Sequence, residues 1–393
     1  MIDEADASRI TIVARREEEV VQRKRHDEQE GGNGFLAAEV RNRSTPAEVA
    51  HPLPTLIRKP APEALRVAVI GVGYLGRYHA QKYARLTEAD LVAVVDTDSI
   101  RGEEVARECG TKALTDYREL FGCVDAVSVV VPTPVHFQVA REFLEAGVHV
   151  LLEKPMTQTL EEADRLIRLA REKECVLQVG HLERFNSAFK ALRSRLRRPM
   201  FLEAHRLAPF NERGTEVDVI LDLMIHDIDI ALYIMGSPLK SIRVAGASVL
   251  TSLPDIANVR MEFENGATAN LTASRISVKS LRKHRIFQED GYFVADYAEH
   301  RAYAVYREGE PDEKGYPQLS MEEIELDERD ALEEEIIAFL HVVRTGGNPL
   351  VGGEEGRRAL AVALDISTQI DEQFRSRDGT LRGEPFAHFP QRG

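Results

Sequence analysis

Two textures of apolar spacing divide this chain. From Leu65 onward, short Val- and Ile-rich runs at 66–70, 91–96, 126–130, 149–152 and 176–179 alternate with stretches whose apolar residues recur at helical spacing. Continuous runs that short suit strands buried on both faces, and the helical stretches suit crossover connections, so a parallel sheet wound with helices is expected. Thr159-Leu-Glu-Glu162 is a capping-box sequence and predicts a helix from there towards Arg171. After about Arg184 the runs at 201–207, 242–250, 257–264, 267–275, 285–288 and 292–295 succeed one another with turns and few helices. That spacing predicts a mostly antiparallel sheet. One strong helix is predicted over 222–235, and two more, near 331–343 and 356–374, close the chain.

Outside these stretches the pattern lapses. Residues 1–64 carry mixed charge blocks over 17–30, then Gly31-Gly-Asn-Gly34 and four prolines, Pro46, Pro52, Pro54 and Pro60. Such a segment buries too little apolar surface to offset its ordering entropy, so a mostly disordered extension is expected, with one short helix near 14–25. Residues 376–393 are polar and Gly/Pro-bearing and are expected to form a flexible tail. The two patterned stretches predict an α/β protein: a parallel-sheet domain over 65–184, then an α+β domain with a mostly antiparallel open sheet over 185–375.

Composition narrows the function classes. No apolar stretch reaches the roughly 18 residues that span a bilayer, and the N-terminus lacks the apolar core of a secretory signal, so the expected compartment is the cytoplasm. A formal charge of -14 argues against a nucleic-acid partner, since phosphate backbones are held by Lys and Arg clusters. Cys109, Cys123 and Cys175 are too widely spaced for a disulfide framework or a zinc site, and no metal is expected.

The first apolar run ends in a glycine pattern, Arg66-Val-Ala-Val-Ile-Gly-Val-Gly-Tyr-Leu-Gly76. Gly71 permits a tight turn, Gly73 lets backbone N–H groups approach a pyrophosphate across the segment that holds Tyr74 and Leu75, and Gly76 lets the next helix pack on its strand. The second run ends in Asp96, twenty residues past Gly76, where a carboxylate would accept adenosine ribose hydroxyls. Strand, glycine turn, helix, strand and acid in this order read as a Rossmann-type dinucleotide site; a structural glycine turn that binds nothing is the alternative. Asp96 favours NAD, because a carboxylate repels a 2′-phosphate, and Arg101 leaves NADP possible.

Two further motifs point to chemistry. Glu153-Lys154-Pro155 falls between the end of a late strand and the start of a helix, the edge of a parallel sheet where ligands bind. Asp222-Leu-Met-Ile-His226-Asp-Ile-Asp229 spaces two carboxylates around an imidazole by four and three, on one helix face, so that a carboxylate can orient the ring. Taken singly, Lys154 suits a solvated loop and His226 a structural role. Together with the glycine turn, the two motifs resemble the Gfo/Idh/MocA family of oxidoreductases, over about 67–374. Gly180-His-Leu-Glu-Arg184-Phe185-Asn186 also resembles the family's interdomain segment, with Ser187 in place of its usual proline, and Val219-Ile220 stands where the family often has a glycine pair.

The resemblance implies an alcohol dehydrogenation with NAD, in which His226 takes the hydroxyl proton, Lys154 donates a hydrogen bond to the same oxygen or to the nicotinamide ribose, and Asp222 supports the histidine. It implies cofactor contacts from Glu153 and, in the loop Pro132-Thr133-Pro134-Val135-His136, from Thr133 and His136. The segment His205-Arg-Leu-Ala-Pro-Phe-Asn-Glu-Arg213, ahead of the histidine helix, resembles family members that oxidise the 3-hydroxyl of UDP-N-acetylglucosamine before a partner aminotransferase acts, in lipid A synthesis. Arg184, Arg206 and Arg213, with Asn186 beside the first, are then expected on the substrate, as positive forks for a pyrophosphate. Surface pairing with Glu183, Glu203, Glu212 or Glu216 explains the arginines equally well. Alternatives are an inositol, free-sugar or other polyol dehydrogenase of the family, and a non-catalytic NAD-binding regulator. The resemblance further implies a homodimer or homotetramer joined through the open face of the second sheet.

Overall fold

The computed structural model describes residues 57–211, 217–312 and 314–381; the expectations for 1–56, for the end of the tail and for Arg213 lie outside the described residues. Six parallel strands form the first sheet: β1 (Leu65–Ile70), β2 (Ala89–Val95), β3 (Lys112–Leu114), β4 (Ala126–Val129), β5 (His149–Glu153) and β6 (Leu177–Gly180), in the order β3-β2-β1-β4-β5-β6. Its crossovers are α1 (Tyr74–Tyr83), α2 (Ser99–Cys109), α3 (Thr133–Glu145) and α4 (Leu160–Glu172). The strand order reverses between β1 and β4, and the crevice at that switch point is where such sheets bind ligands. The four residues of β4 are all buried, as a two-sided strand requires. Thr159 caps α4 through the Glu162 N–H, and the Glu162 side chain reaches back to the Thr159 N–H, completing the capping box.

After the short helix α5 (Ser187–Arg193), eight strands build the second sheet: β7 (Phe201–Leu207), β8 (Leu239–Ala247), β9 (Ile256–Phe263), β10 (Thr268–Ser274), β11 (Leu281–Gln288), β12 (Gly291–Asp296), β13 (Arg301–Glu308) and β14 (Gln318–Ile324). They run in the order β14-β13-β12-β11-β7-β10-β9-β8, antiparallel except where β10 lies parallel to β7. Alternation is strict in β7, where Leu202, Ala204 and Arg206 are buried and their neighbours half-buried. The buried face packs on α6 (Ile225–Met235), with Leu202, Met261, Leu271 and Ile286 in one core with Ile225 and Ile228.

The structure departs from the expected elements in several places. β3, α5, β13 and β14 have no counterpart in the sequence pattern. The helix expected over 222–235 begins as a π-helical turn, Ile220–Met224, where the Ile225 N–H donates to Ile220 O five residues back. The last helix, α8 (Gly353–Leu381), runs past the expected start of the tail. α7 (Ala331–Thr345) leaves the second sheet and inserts Leu332, Ile336, Phe339 and Leu340 into the core beneath the first, against Ala80 and Tyr83 of α1. Residues far apart in sequence therefore share the first core.

Candidate active site

The glycine turn is shaped by what each glycine would otherwise hit. Gly71 has a positive φ of 85°, and a Cβ there would meet Val130 O at 2.7 Å; a Cβ on Gly76 would meet Gly71 O at 1.9 Å. Helix and turn can approach only without those side chains. Gly73 is different: a Cβ there would find nothing within 4 Å. It is also the N-cap of α1 and brings no side-chain oxygen to the helix's first N–H groups, which face an open space suited to phosphate.

That space continues as a groove of about 770 Å³ along the strand ends, lined by Gly73, Tyr74, Asp96, Thr133, Glu153 and Lys154. Gly71, Leu75 and His136 also face it. The residues fit an extended dinucleotide: open N–H groups at one point, a carboxylate at the end of β2, and a lysine at the end of β5. A second cavity, about 650 Å³, lies at the opposite strand ends around His149 and Cys175 and contains none of these residues. Burial, the largest influence, would raise the pKa of Asp96, but hydrogen bonds from Arg101, Asp98 and Val72 outweigh it and hold the carboxyl below its usual range.

At the other end, Lys154 follows β5 and precedes a cis Lys154-Pro155 bond. Its ammonium donates to Asp222 O at 2.6 Å and lies 3.7 Å from Asp222 Oδ1. The loop and the π turn thus meet through these two residues. Burial lowers the Lys154 pKa and Arg206 acts with it, against Asp222 and Glu153. His226 lies on the turn that follows. Burial first, then Lys154, Arg206, His181 and Arg282, holds its pKa well below the usual histidine range, so the imidazole is neutral near pH 7.

Several expected contacts are corrected. Among the described residues no carboxylate hydrogen-bonds to His226, whose buried Nδ1 has no partner there; Asp229 instead makes a two-pronged pair with Arg184 at 2.6 and 2.7 Å. The Arg184 guanidinium, 3.9 Å from the Tyr233 ring centre, is 3% exposed and offers no open fork. Arg206 is equally enclosed, held at 2.9 and 2.7 Å by Asp227 and at 3.3 Å by Glu183. Both arginines pair with acids as one reading anticipated, but in the interior. Asn186 uses its Oδ1 to cap α5 through the Ala188 N–H. His136 is buried with its ring nitrogens 2.9 and 2.8 Å from Pro155 O and Val131 O, which makes it a wall that fixes the lysine loop.

Two buried networks support the site. In the first, His79 of α1 lies 3.2 Å from Glu153 Oε1 and 3.2 Å from Ser128 Oγ, which in turn lies 2.9 Å from Tyr83 OH; Glu153 also accepts the Lys154 N–H. The helix behind the glycine turn is thereby tied to the loop that carries Lys154. In the second, Asp227 joins Arg206 to His284, whose other ring nitrogen meets Tyr297 OH at 2.8 Å, while Glu183 accepts from Arg282. Asp227 sits inside a motif read for other residues and His79 just past the glycine turn, and only their partners, far along the chain, disclose them.

A dinucleotide groove that ends at a lysine, held by Asp222, which stands one helical turn before a neutral histidine, marks a nicotinamide-dependent oxidoreductase. Residues 65–181 match the model of an oxidoreductase family with an NAD-binding Rossmann fold, and residues 189–294 match the GFO/IDH/MocA C-terminal domain. The chain belongs to the Gfo/Idh/MocA oxidoreductase family. It is 41% identical over 308 residues to a UDP-N-acetylglucosamine 3-dehydrogenase from Acidithiobacillus ferrooxidans, covering 78% of this chain and 97% of that one. A solved structure of that enzyme superposes with a TM-score of 0.75, over 79% of this chain and 98% of the other. A myo-inositol 2-dehydrogenase from Thermotoga maritima is 29% identical over 331 residues, 79% of this chain and 97% of that relative. Among the described residues no helix is long and apolar enough to cross a membrane, and no cluster of side chains is set to hold a metal.

Proposed function

We propose that this protein oxidises the 3-hydroxyl of a UDP-sugar, UDP-N-acetylglucosamine in the first instance, to a 3-keto sugar. The observation that carries the substrate is the 41% identity to the Acidithiobacillus ferrooxidans enzyme across nearly its whole length. NAD, when bound, accepts the hydride released from the carbinol carbon. The neutral His226 imidazole takes the hydroxyl proton as that hydride leaves, a role that a protonated ring could not fill. Lys154, held by Asp222, donates a hydrogen bond to the same oxygen and supports the negative charge that grows there. Gly71, Gly73, Tyr74, Leu75, Asp96, Thr133 and Glu153 line the cofactor groove, and Gly76 lets α1 pack against its turn. Arg184 and Arg206 act from the interior, fixing the helix of His226 through Asp229 and Asp227.

The keto product is a substrate for transamination, which supports a downstream aminotransferase and a place in lipid A synthesis. The reaction draws NAD and a nucleotide sugar from one compartment, which supports a cytoplasmic location. The outer face of the second sheet supports a homodimer or homotetramer, since Phe201, Phe287 and Tyr292 form an aromatic row there and Leu319 and Met321 stand exposed.

The test is NADH formation by the purified protein from NAD and UDP-N-acetylglucosamine, with an aminotransferase and glutamate present to remove the ketone. Turnover that N-acetylglucosamine alone does not sustain is expected. Turnover of inositols or free sugars without a nucleotide requirement would replace this reading with the polyol one, which the Thermotoga maritima relative favours. NAD binding without turnover of any of these would favour a regulator.

A further inference from the structure

In place of the carboxylate that its motif predicts, His226 has a second histidine against it. The ring of His181, itself buried, lies nearly perpendicular to that of His226, with centres 6.3 Å apart. Nδ1 of each ring is buried and, among the described residues, has no hydrogen-bond partner. A neutral imidazole that accepts a proton on one nitrogen carries its hydrogen on the other, and a buried N–H without an acceptor costs free energy.

The two rings are held in register from both sides. His181 follows β6 and opens the short turn Leu182–Phe185. Arg184 of that turn pairs with Asp229 at 2.6 and 2.7 Å, and Glu183 accepts from Arg206, which also holds Asp227. Asp227 and Asp229 follow His226 on α6, so these ion pairs lock the turn that bears His181 to the helix that bears His226. A Cβ on Gly180 would meet the carboxyl carbon of Glu153 at 2.9 Å, so the bare glycine lets that carboxylate sit beside His181. The charges around the rings differ. Lys154, Arg206, His181 and Arg282 face His226, each cationic or able to become so. Around His181, Asp229 and Glu153 offset Arg184 and Lys154. Burial, the largest influence on both, favours neutral rings, but a proton that must be held is held better on His181.

We propose that His181 is the proton-accepting partner of His226: as the substrate hydroxyl proton arrives at His226 Nε2, the proton on His226 Nδ1 passes to His181 Nδ1. The substrate O–H bond breaks and an N–H bond forms at His226 Nε2, while the electron pair of the carbinol C–H bond leaves as the hydride. The Nδ1–H bond of His226 breaks and an N–H bond forms at His181, which becomes the imidazolium while His226 stays neutral. The two nitrogens reach each other through one water or a small turn of either ring, since proton-transfer partners tighten when substrate binds. His181 acts through His226 and is a positioning residue. This role rests on the reading of His226 as the base and on no particular sugar.

Nitrogen NMR of the full chain with labelled histidines, titrated without substrate, reads the pair whether or not a UDP-sugar is turned over. On acidification His181 is expected to take the first proton and His226 the second, at lower pH, with the signals assigned from His181→Phe and His226→Gln. His226 protonating first would overturn the proposal. In turnover, His181→Phe keeps a ring and loses its nitrogens. It is expected to lower kcat by about tenfold to a hundredfold, the scale of a lost outer-shell partner, with KM and NAD affinity held. The acid limb of its residual kcat should move to lower pH, because His226 alone then titrates. His181→Asn, smaller than the native residue, should show the same loss and the same shift. A His181→Phe enzyme with unaltered kcat and acid limb would overturn the proposal, because ring packing alone would then suffice. Full turnover by His226→Gln would instead remove the base, and the role of His181 with it.

Discussion

Burial, Lys154, Arg206, His181 and Arg282 all push His226 in one direction, towards the neutral ring. A base whose pKa is lowered keeps its capacity to accept a proton as the solution is acidified, until the pH reaches that lowered value. The acid limb of kcat/KM is therefore expected below about 6.5, the ordinary histidine value. His226→Gln should lower kcat by about a hundredfold or more, the range for loss of a general base, with NAD affinity retained. A pH-rate profile with its acid limb at or above the ordinary value would remove His226 from that role. At this scale the sequence was informative where a motif is local. Gly71, Gly73, Asp96, Thr133, Glu153 and Lys154 fall along one groove because each ends a strand or opens a helix of a regular βα repeat. It was uninformative for Arg184 and Arg206, whose partners Asp229 and Asp227 lie on another element. Nothing in one dimension distinguishes an arginine that awaits a phosphate from one already paired.

Among the elements, α7 carries the least expected residue. Glu335 is fully buried between Leu332 and Phe339, and neither carboxyl oxygen has a hydrogen-bond partner. Burial, with Glu153 adding to it, drives its pKa well above the usual glutamate value. An acid whose folded pKa is raised costs stability above its unfolded pKa, and the cost grows as pH rises towards the folded value. Glu335→Gln is therefore expected to melt at a higher temperature than the unaltered protein at pH 8, with the gap narrowing towards pH 4.5. A gap that widens on acidification would contradict the assignment. The sequence foretold the strands with a sustained buried face, two-sided as in β4 or one-sided as in β7, and missed the short and edge strands β3 and β14. β14 reads Gln-Leu-Ser-Met-Glu-Glu-Ile, an edge strand with one buried residue, and β3 has only three residues. The π turn leaves no mark in hydrophobic spacing, since Ile220, Met224, Ile225 and Ile228 suit an ordinary helix equally well.

For the whole molecule, the open side of the second sheet is divided. Around β9 and β10 it shows Asn258, Arg260, Asn270 and Thr272; at β14 it exposes Leu319 and Met321, beside the buried Val305 and Tyr292 of β13 and β12. The second half is the expected seam between copies. Leu319→Glu with Met321→Glu, both at exposed positions, should convert the assembly to single chains in light scattering while leaving NAD binding intact. An unaltered protein already monomeric at micromolar concentration would dismiss the seam. The placement of α7 reaches further, into how the protein is made. The hollow against Ala80 and Tyr83 is filled by side chains that follow more than 240 residues later, Leu332 to Leu340. During synthesis the first sheet thus leaves the ribosome before the side chains that fill this hollow have been made. A fragment that ends before α7 is expected to expose apolar surface and aggregate, because its own core lacks the side chains that close it.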